Sequence, residues 1–206
     1  MLLRACIAAA AVLAVSGMCA AAQPRTSGED SSTFAHSGFY FTVGPDAHHT
    51  STSLSGGVSG AFGVGVGYVI LENLELQIEF LTGAENIPQD AHTPLWGRIP
   101  MGGASFDLRY FLSTGQALHP FVLVGYDLSS LIDDDTHGYS GGGPRGALGL
   151  QLECSSAWAV NAQVGYAFIR YYSVVSDTDP AGIFQAFTDH RLGVAVHVNF
   201  YPNLLP

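Results

Sequence analysis

The chain has 206 residues, with seventeen acidic side chains against seven basic ones, a net charge of −10, and 48% apolar residues. An acidic balance of that size argues against nucleic acid as a partner. All seven basic residues are arginine, none is lysine, and 25 residues are glycine, a composition unlike the lysine-bearing polar exterior of a soluble domain.

Residues 1–22 read as a signal peptide. Arg4 supplies the positive end, Ala8 and the residues up to Val15 the apolar middle, and Ala20-Ala21-Ala22 a cleavage site before Gln23. That apolar run is too short to span a membrane as a helix, and no later stretch is long and uncharged enough to do so. Residues 23–35 are polar and form a flexible periplasmic lead-in. The remainder, 36–206, is long enough for one domain.

From there the chain alternates. A first strand over 37–44 sets Phe39, Phe41 and Val43 on one side, and 45–57 has the Ser/Thr/Gly composition of a loop. Residues 58–70 alternate next, with Phe62, Val64, Val66, Tyr68 and Ile70 facing one way and small residues the other. Leu71-Glu72-Asn73 is a tight turn. Leu74, Leu76, Ile78 and Phe80 then oppose Glu75, Gln77 and Glu79, and after a long connection over 83–100 the beat resumes. There Phe106, Leu108, Tyr110 and Leu112 oppose Asp107 and Arg109. Strict alternation of this kind marks strands with one apolar and one polar face.

A short turn leads to a fifth strand over 121–128, where Val122, Val124 and Tyr126 lie opposite Leu123, Gly125 and Asp127. Residues 129–144 form another long loop. The sixth strand sets Leu148, Leu150 and Leu152 against Gly149, Gln151 and Glu153. Ser155-Ser156 turns into the seventh, which runs from Trp158 to Phe168. A last long loop over 170–188 precedes a strand in which Val194, Val196, Val198 and Phe200 oppose Arg191, His197 and Asn199.

Eight strands joined alternately by long and short connections predict an all-β fold: an eight-stranded antiparallel up-and-down transmembrane β-barrel. Four long loops are extracellular, and short turns are periplasmic. A soluble barrel with its apolar face inward would alternate in the same way. Three features favour the membrane reading. The polar face is glycine, alanine, amides and a few charges without lysine. Aromatics gather near the strand ends (Tyr68, Tyr110, Trp158, Phe200), as an interfacial girdle requires. Closure also spares the backbone unpaired groups in hydrocarbon.

On these residues the chain resembles the small eight-stranded outer-membrane proteins, the OmpW-like barrels and the transmembrane domain of OmpA. Asn73-Leu74-Glu75-Leu76, Ser105 to Phe111, His119-Pro120-Phe121-Val122 and the closing strand from Val194 to Phe200 carry the likeness. It implies a bacterial outer-membrane location, and an OmpW-like resemblance implies an apolar mouth for small hydrophobic compounds. Six residues follow Phe200 here, whereas in such families the terminal aromatic usually closes the chain.

Two groups of residues are candidates for function. The inward charges Glu75, Glu79, Asp107, Asp127 and Glu153 face Arg109, Arg191 and His197, as a network that either plugs the lumen or lines a gated polar path. Because eight strands leave an interior that side chains just fill, the plug is the preferred reading. Leu95, Trp96 and Ile99 in the second outer loop, with Ile183, Phe184 and Phe187 in the fourth, form a candidate apolar mouth or simply order the loops. Asp133-Asp134-Asp135 with His137, and His48-His49, match no closed metal motif, so solvated loops are the simpler reading. No cofactor is implied, and no nucleophile elbow or paired-carboxylate signature suggests an enzyme. The partners expected are membrane lipid and small hydrophobic solutes. Passive passage or binding of such solutes is the leading function. A non-conducting structural or surface-interaction protein, meeting host molecules through its loops, is the alternative.

Overall fold

The computed structural model describes residues 38–52, 56–87, 97–112, 117–132, 137–155, 157–175 and 187–202. They form eight strands in sequence order: β1 (Gly38–Thr52), β2 (Gly56–Leu71), β3 (Leu74–Ile87), β4 (Gly97–Phe111), β5 (Leu118–Ile132), β6 (His137–Glu153), β7 (Trp158–Val175) and β8 (Phe187–Phe200). Each pairs antiparallel with the next, and β8 returns to β1 to close the barrel. Among the described residues no helix is long and apolar enough to cross a membrane.

Register fixes the shape. From Arg170 on β7 the paired residues run through Gly142, Leu128, Ala104, Phe80, Val64, Val43 and Val198, and return to β7 at Val160, ten residues lower. A shear of ten over eight strands tilts each strand by about 40° and leaves an interior that side chains fill. Along the barrel axis each residue then rises about 2.5 Å.

The faces sort as the alternation predicts. Leu148, Val164, Phe80 and Leu192 are each more than half exposed, on a wall that only hydrocarbon can cover at tolerable free energy. At the periplasmic end the exposed aromatics pair across strands: Phe39 meets Tyr68 edge-on at 4.9 Å between ring centroids, and Trp158 packs on Phe200 at 4.5 Å. Inside, space is so limited that a glycine is needed opposite a large ring. A Cβ at Gly67 would stand within the Tyr40 ring, and one at Gly149 within that of Phe121.

The strands are longer than the 9–11 residues needed to cross a bilayer, and the excess lies at the outer end. Residues 45–52, expected in a loop, continue β1 and pair with both β2 and β8. Likewise β3 runs on to Ile87, β5 to Ile132 and β7 to Val175. Polar strand is stable there because, above the hydrocarbon, its outward side chains meet water while its inward ones still meet the lumen. Alternation of apolar residues is lost in such a stretch although the ladder persists.

The core lies within the barrel. Tyr40, Val69, Ala159 and Tyr201 pack together toward the periplasmic end, as do Phe111, Phe121, Leu123 and Ala147. A larger apolar cluster including Ile99, Met101, Leu131, Tyr139, Ile169 and Phe187 closes the outer end. Between them the interior is polar.

Candidate functional site

The polar interior is arranged in three layers. In the lowest, Arg109 is wholly buried, and its guanidinium donates to Glu75 at 3.3 Å and to Gln77 at 2.9 Å while stacking 4.7 Å over the Phe121 ring. Tyr40 donates to the same Gln77 oxygen, and Tyr201 to Glu75 at 3.4 Å. Amides extend the network: Gln151 donates to Tyr201, Asn199 to Gln151 and Asn161 to Asn199. Glu153 receives a bond from Gln151 and lies 3.9 Å from His119.

The middle layer centres on Arg145, which lies 3.0 Å from Asp127 and 3.3 Å from Asp107. Beside it, His197 Nε2 is 3.2 Å from Glu79 Oε1. The upper layer centres on Arg191, which bonds Glu85, the Tyr171 hydroxyl and Asp189, the last at 2.8 Å. Tyr171 in turn donates to Ser129 at 2.7 Å. His48 lies 3.3 Å from Asp46. Three arginines of fixed charge, each held by at least one carboxylate on another strand, therefore cross-brace the cylinder. Such pairs are costly to desolvate but much more costly to break one partner at a time.

All eight charged residues singled out from the sequence point into the lumen, but with different pairings from those expected. Arg109 does take Glu75. Arg191 takes Glu85 and Asp189 instead, and Asp107 and Asp127 share Arg145. Arg145, Glu85, Asp189, His48 and Tyr171 were missed because each was assigned to a loop or a loop margin. Extending the parity of Gly149 and Ala147 two residues back would have found Arg145, and extending that of Arg191 would have found Asp189.

Between the upper and middle layers lies a cavity of about 50 Å³, bordered by Asp46, His48, Asp127, Arg145, Gln163 and Arg191. Gln163 Oε1 has no hydrogen-bond partner among the described residues. A few waters fit such a space and would satisfy that oxygen. Arg145 and Arg191 border this cavity from the middle and upper layers.

Of the candidate apolar mouth, Ile99 and Phe187 point inward, buried within the outer cluster. There Phe187 stacks on Tyr171 at 4.8 Å and meets Tyr139 edge-on at 5.3 Å. Leu95, Trp96, Ile183 and Phe184 lie outside the described residues, as do Asp133, Asp134 and Asp135. Among the described residues the β4–β5 ladder runs from Met101 opposite Leu131 to Phe111 opposite Phe121. Among the described residues no group of three or more His, Cys, Asp and Glu side chains could hold a metal ion.

A closed cylinder of eight strands with an apolar wall and a braced polar interior defines an outer-membrane β-barrel. The profile of the outer membrane protein beta-barrel domain matches residues 7–200, and the chain belongs to that family, located in the bacterial outer membrane. No curated protein sequence matches it. Among solved structures it is similar to OprG of Pseudomonas aeruginosa, at 13% identity and a TM-score of 0.56 over 81% of this chain and 97% of that one. It is likewise similar to the Neisserial surface protein A, at 14% identity and 0.53, covering 80% and 98%. The outer membrane protein AlkL, solved in lipid bilayers, matches at 13% identity and 0.51, covering 86% and 96%. At these identities the likeness is one of fold.

Proposed function

We propose that this barrel binds small hydrophobic solutes at its outer end and passes them sideways into the membrane. The observation that carries this reading is the buried apolar cluster of Ile99, Met101 and Leu131 at the outer end of the barrel, beside Pro100 on β4. Below the cluster the arginine layers obstruct the axis with fixed charge, so an apolar solute meets a steep desolvation barrier straight ahead. To the side, past the barrel wall, it meets hydrocarbon. Pro100, on β4, has no N–H to donate and leaves the wall there easier to part.

Uptake of a hydrophobic dye by proteoliposomes tests the proposal. Wild-type protein is expected to speed uptake well above empty liposomes, and Ile99→Asp, checked for closure by its unheated mobility on electrophoresis, to abolish the difference. Wild-type uptake equal to that of empty liposomes would instead favour a non-conducting structural or surface-interaction protein.

A further inference from the structure

The outer wall holds a charge pattern separate from the lumen. Among the described strand residues no carboxylate stands on that wall, while four basic side chains do: His49, Arg98, Arg170 and His190, all exposed. Three of these four belong to adjacent strands. His190 on β8 faces Phe168 on β7 and Ser51 on β1. Arg170 lies two residues beyond Phe168 and His49 two before Ser51, so both are diagonal neighbours of His190 on one face, about 7–8 Å away. Given the strand tilt, these two diagonals run along the membrane plane. The arc therefore stays at one height.

That height is the outer rim of the hydrocarbon. Counting up from the aromatic Trp158 at the periplasmic edge, Phe168 is ten residues on, a rise of about 25 Å, which matches the apolar band of such barrels. Arg170 lies just above. Directly beneath the arc the wall is exposed and apolar, through Phe168, Leu192 and Val194.

Local contacts hold the three side chains in place. The Arg170 guanidinium lies over the Tyr172 ring at 5.4 Å, a contact that uses its face and leaves its N–H edges to meet an oxyanion. His190 Nδ1 is bonded to the Tyr166 hydroxyl at 2.5 Å, and its ring meets Phe168 edge-on at 5.2 Å. His49 Nδ1 lies 2.8 Å from the Thr50 carbonyl, which can only accept, so that nitrogen carries the proton.

We propose that the β7–β8–β1 seam is a binding site for the phosphate of a lipid of the outer leaflet, with Arg170 and His190 as its main donors, His49 flanking them, and Phe168, Leu192 and Val194 receiving the acyl chains. A lipid is favoured over a soluble anion because the arc sits directly above greasy wall, where headgroup and chain can be met together.

Native mass spectrometry of the folded protein in non-ionic detergent tests this, with phosphorylated lipid A and the same glycolipid stripped of phosphate as probes. The phosphorylated form is expected to remain bound and the stripped form to be lost. Arg170→Gln with His190→Gln should weaken retention about tenfold, as loss of charge-assisted bonds to phosphate does. Arg98→Gln, on the opposite side of the barrel, should leave it unchanged. Equal retention of the two glycolipids would overturn the proposal. So would an equal loss on Arg98→Gln, and full displacement by millimolar inorganic phosphate would reassign the site to a soluble anion.

Discussion

Arg109 shows how much a single side chain carries in this barrel. It reaches from β4 across to Glu75 and Gln77 on β3, covers the Phe121 ring on β5, and is fully enclosed. Truncation would remove the guanidinium that pairs with the buried Glu75 carboxylate. Arg109→Ala is therefore expected to lower stability by about 3–5 kcal/mol, the usual cost of removing one partner of a buried pair. The midpoint of urea unfolding in detergent micelles measures it, and an unchanged midpoint would mean that the layer is dispensable. Because Arg145 and Arg191 brace other strands through separate partners, the three layers should fail independently.

For a strand, the decisive quantity is depth in the membrane. Val164 lies on the outer wall of β7 midway between the two rims, more than half exposed to lipid. Ser140, on the outer wall of β6 and paired with Tyr172, stands near the outer end. Val164→Arg should cost about 2–4 kcal/mol and Ser140→Arg about 0–1, since a charge on the lipid face is penalised by depth. Unfolding titrations of the two variants read out the difference. Equal costs would show that β6 and β7 extend no further than the hydrocarbon. The same reasoning explains why the outer ends of the strands escaped notice. His48 and Thr50 point inward and His49 and Ser51 outward in ordinary strand geometry, but with polar residues on both faces the alternation leaves no apolar trace.

At the scale of the molecule, closure is what makes the parts work. The last strand pairs with the first from Phe41–Phe200 to Thr52–Asp189, so no edge of the sheet is left to lipid or to another chain. Unheated protein in detergent should migrate differently from boiled protein, with strand circular dichroism lost only on boiling. Migration unaffected by heat would contradict a closed barrel. A cysteine placed at Ser155, in the tight β6–β7 turn, should be shielded from a membrane-impermeant label on intact cells. Labelling there would invert the orientation.

By itself the sequence determined the strand count, the closure and the two faces, because a period of two with apolar residues on one side only is a local property that each strand writes for itself. It also determined that the carboxylates turn inward, since Glu75, Glu79 and Asp107 share parity with one another and oppose leucine and phenylalanine. The tertiary structure alone decided which arginine meets which carboxylate. Arg191 is 106 positions from Glu85, and their meeting depends on a shear of ten that no single strand encodes. The arc of His49, His190 and Arg170 on the outer wall has the same origin: it exists only because strand tilt brings diagonal neighbours on three strands to one height.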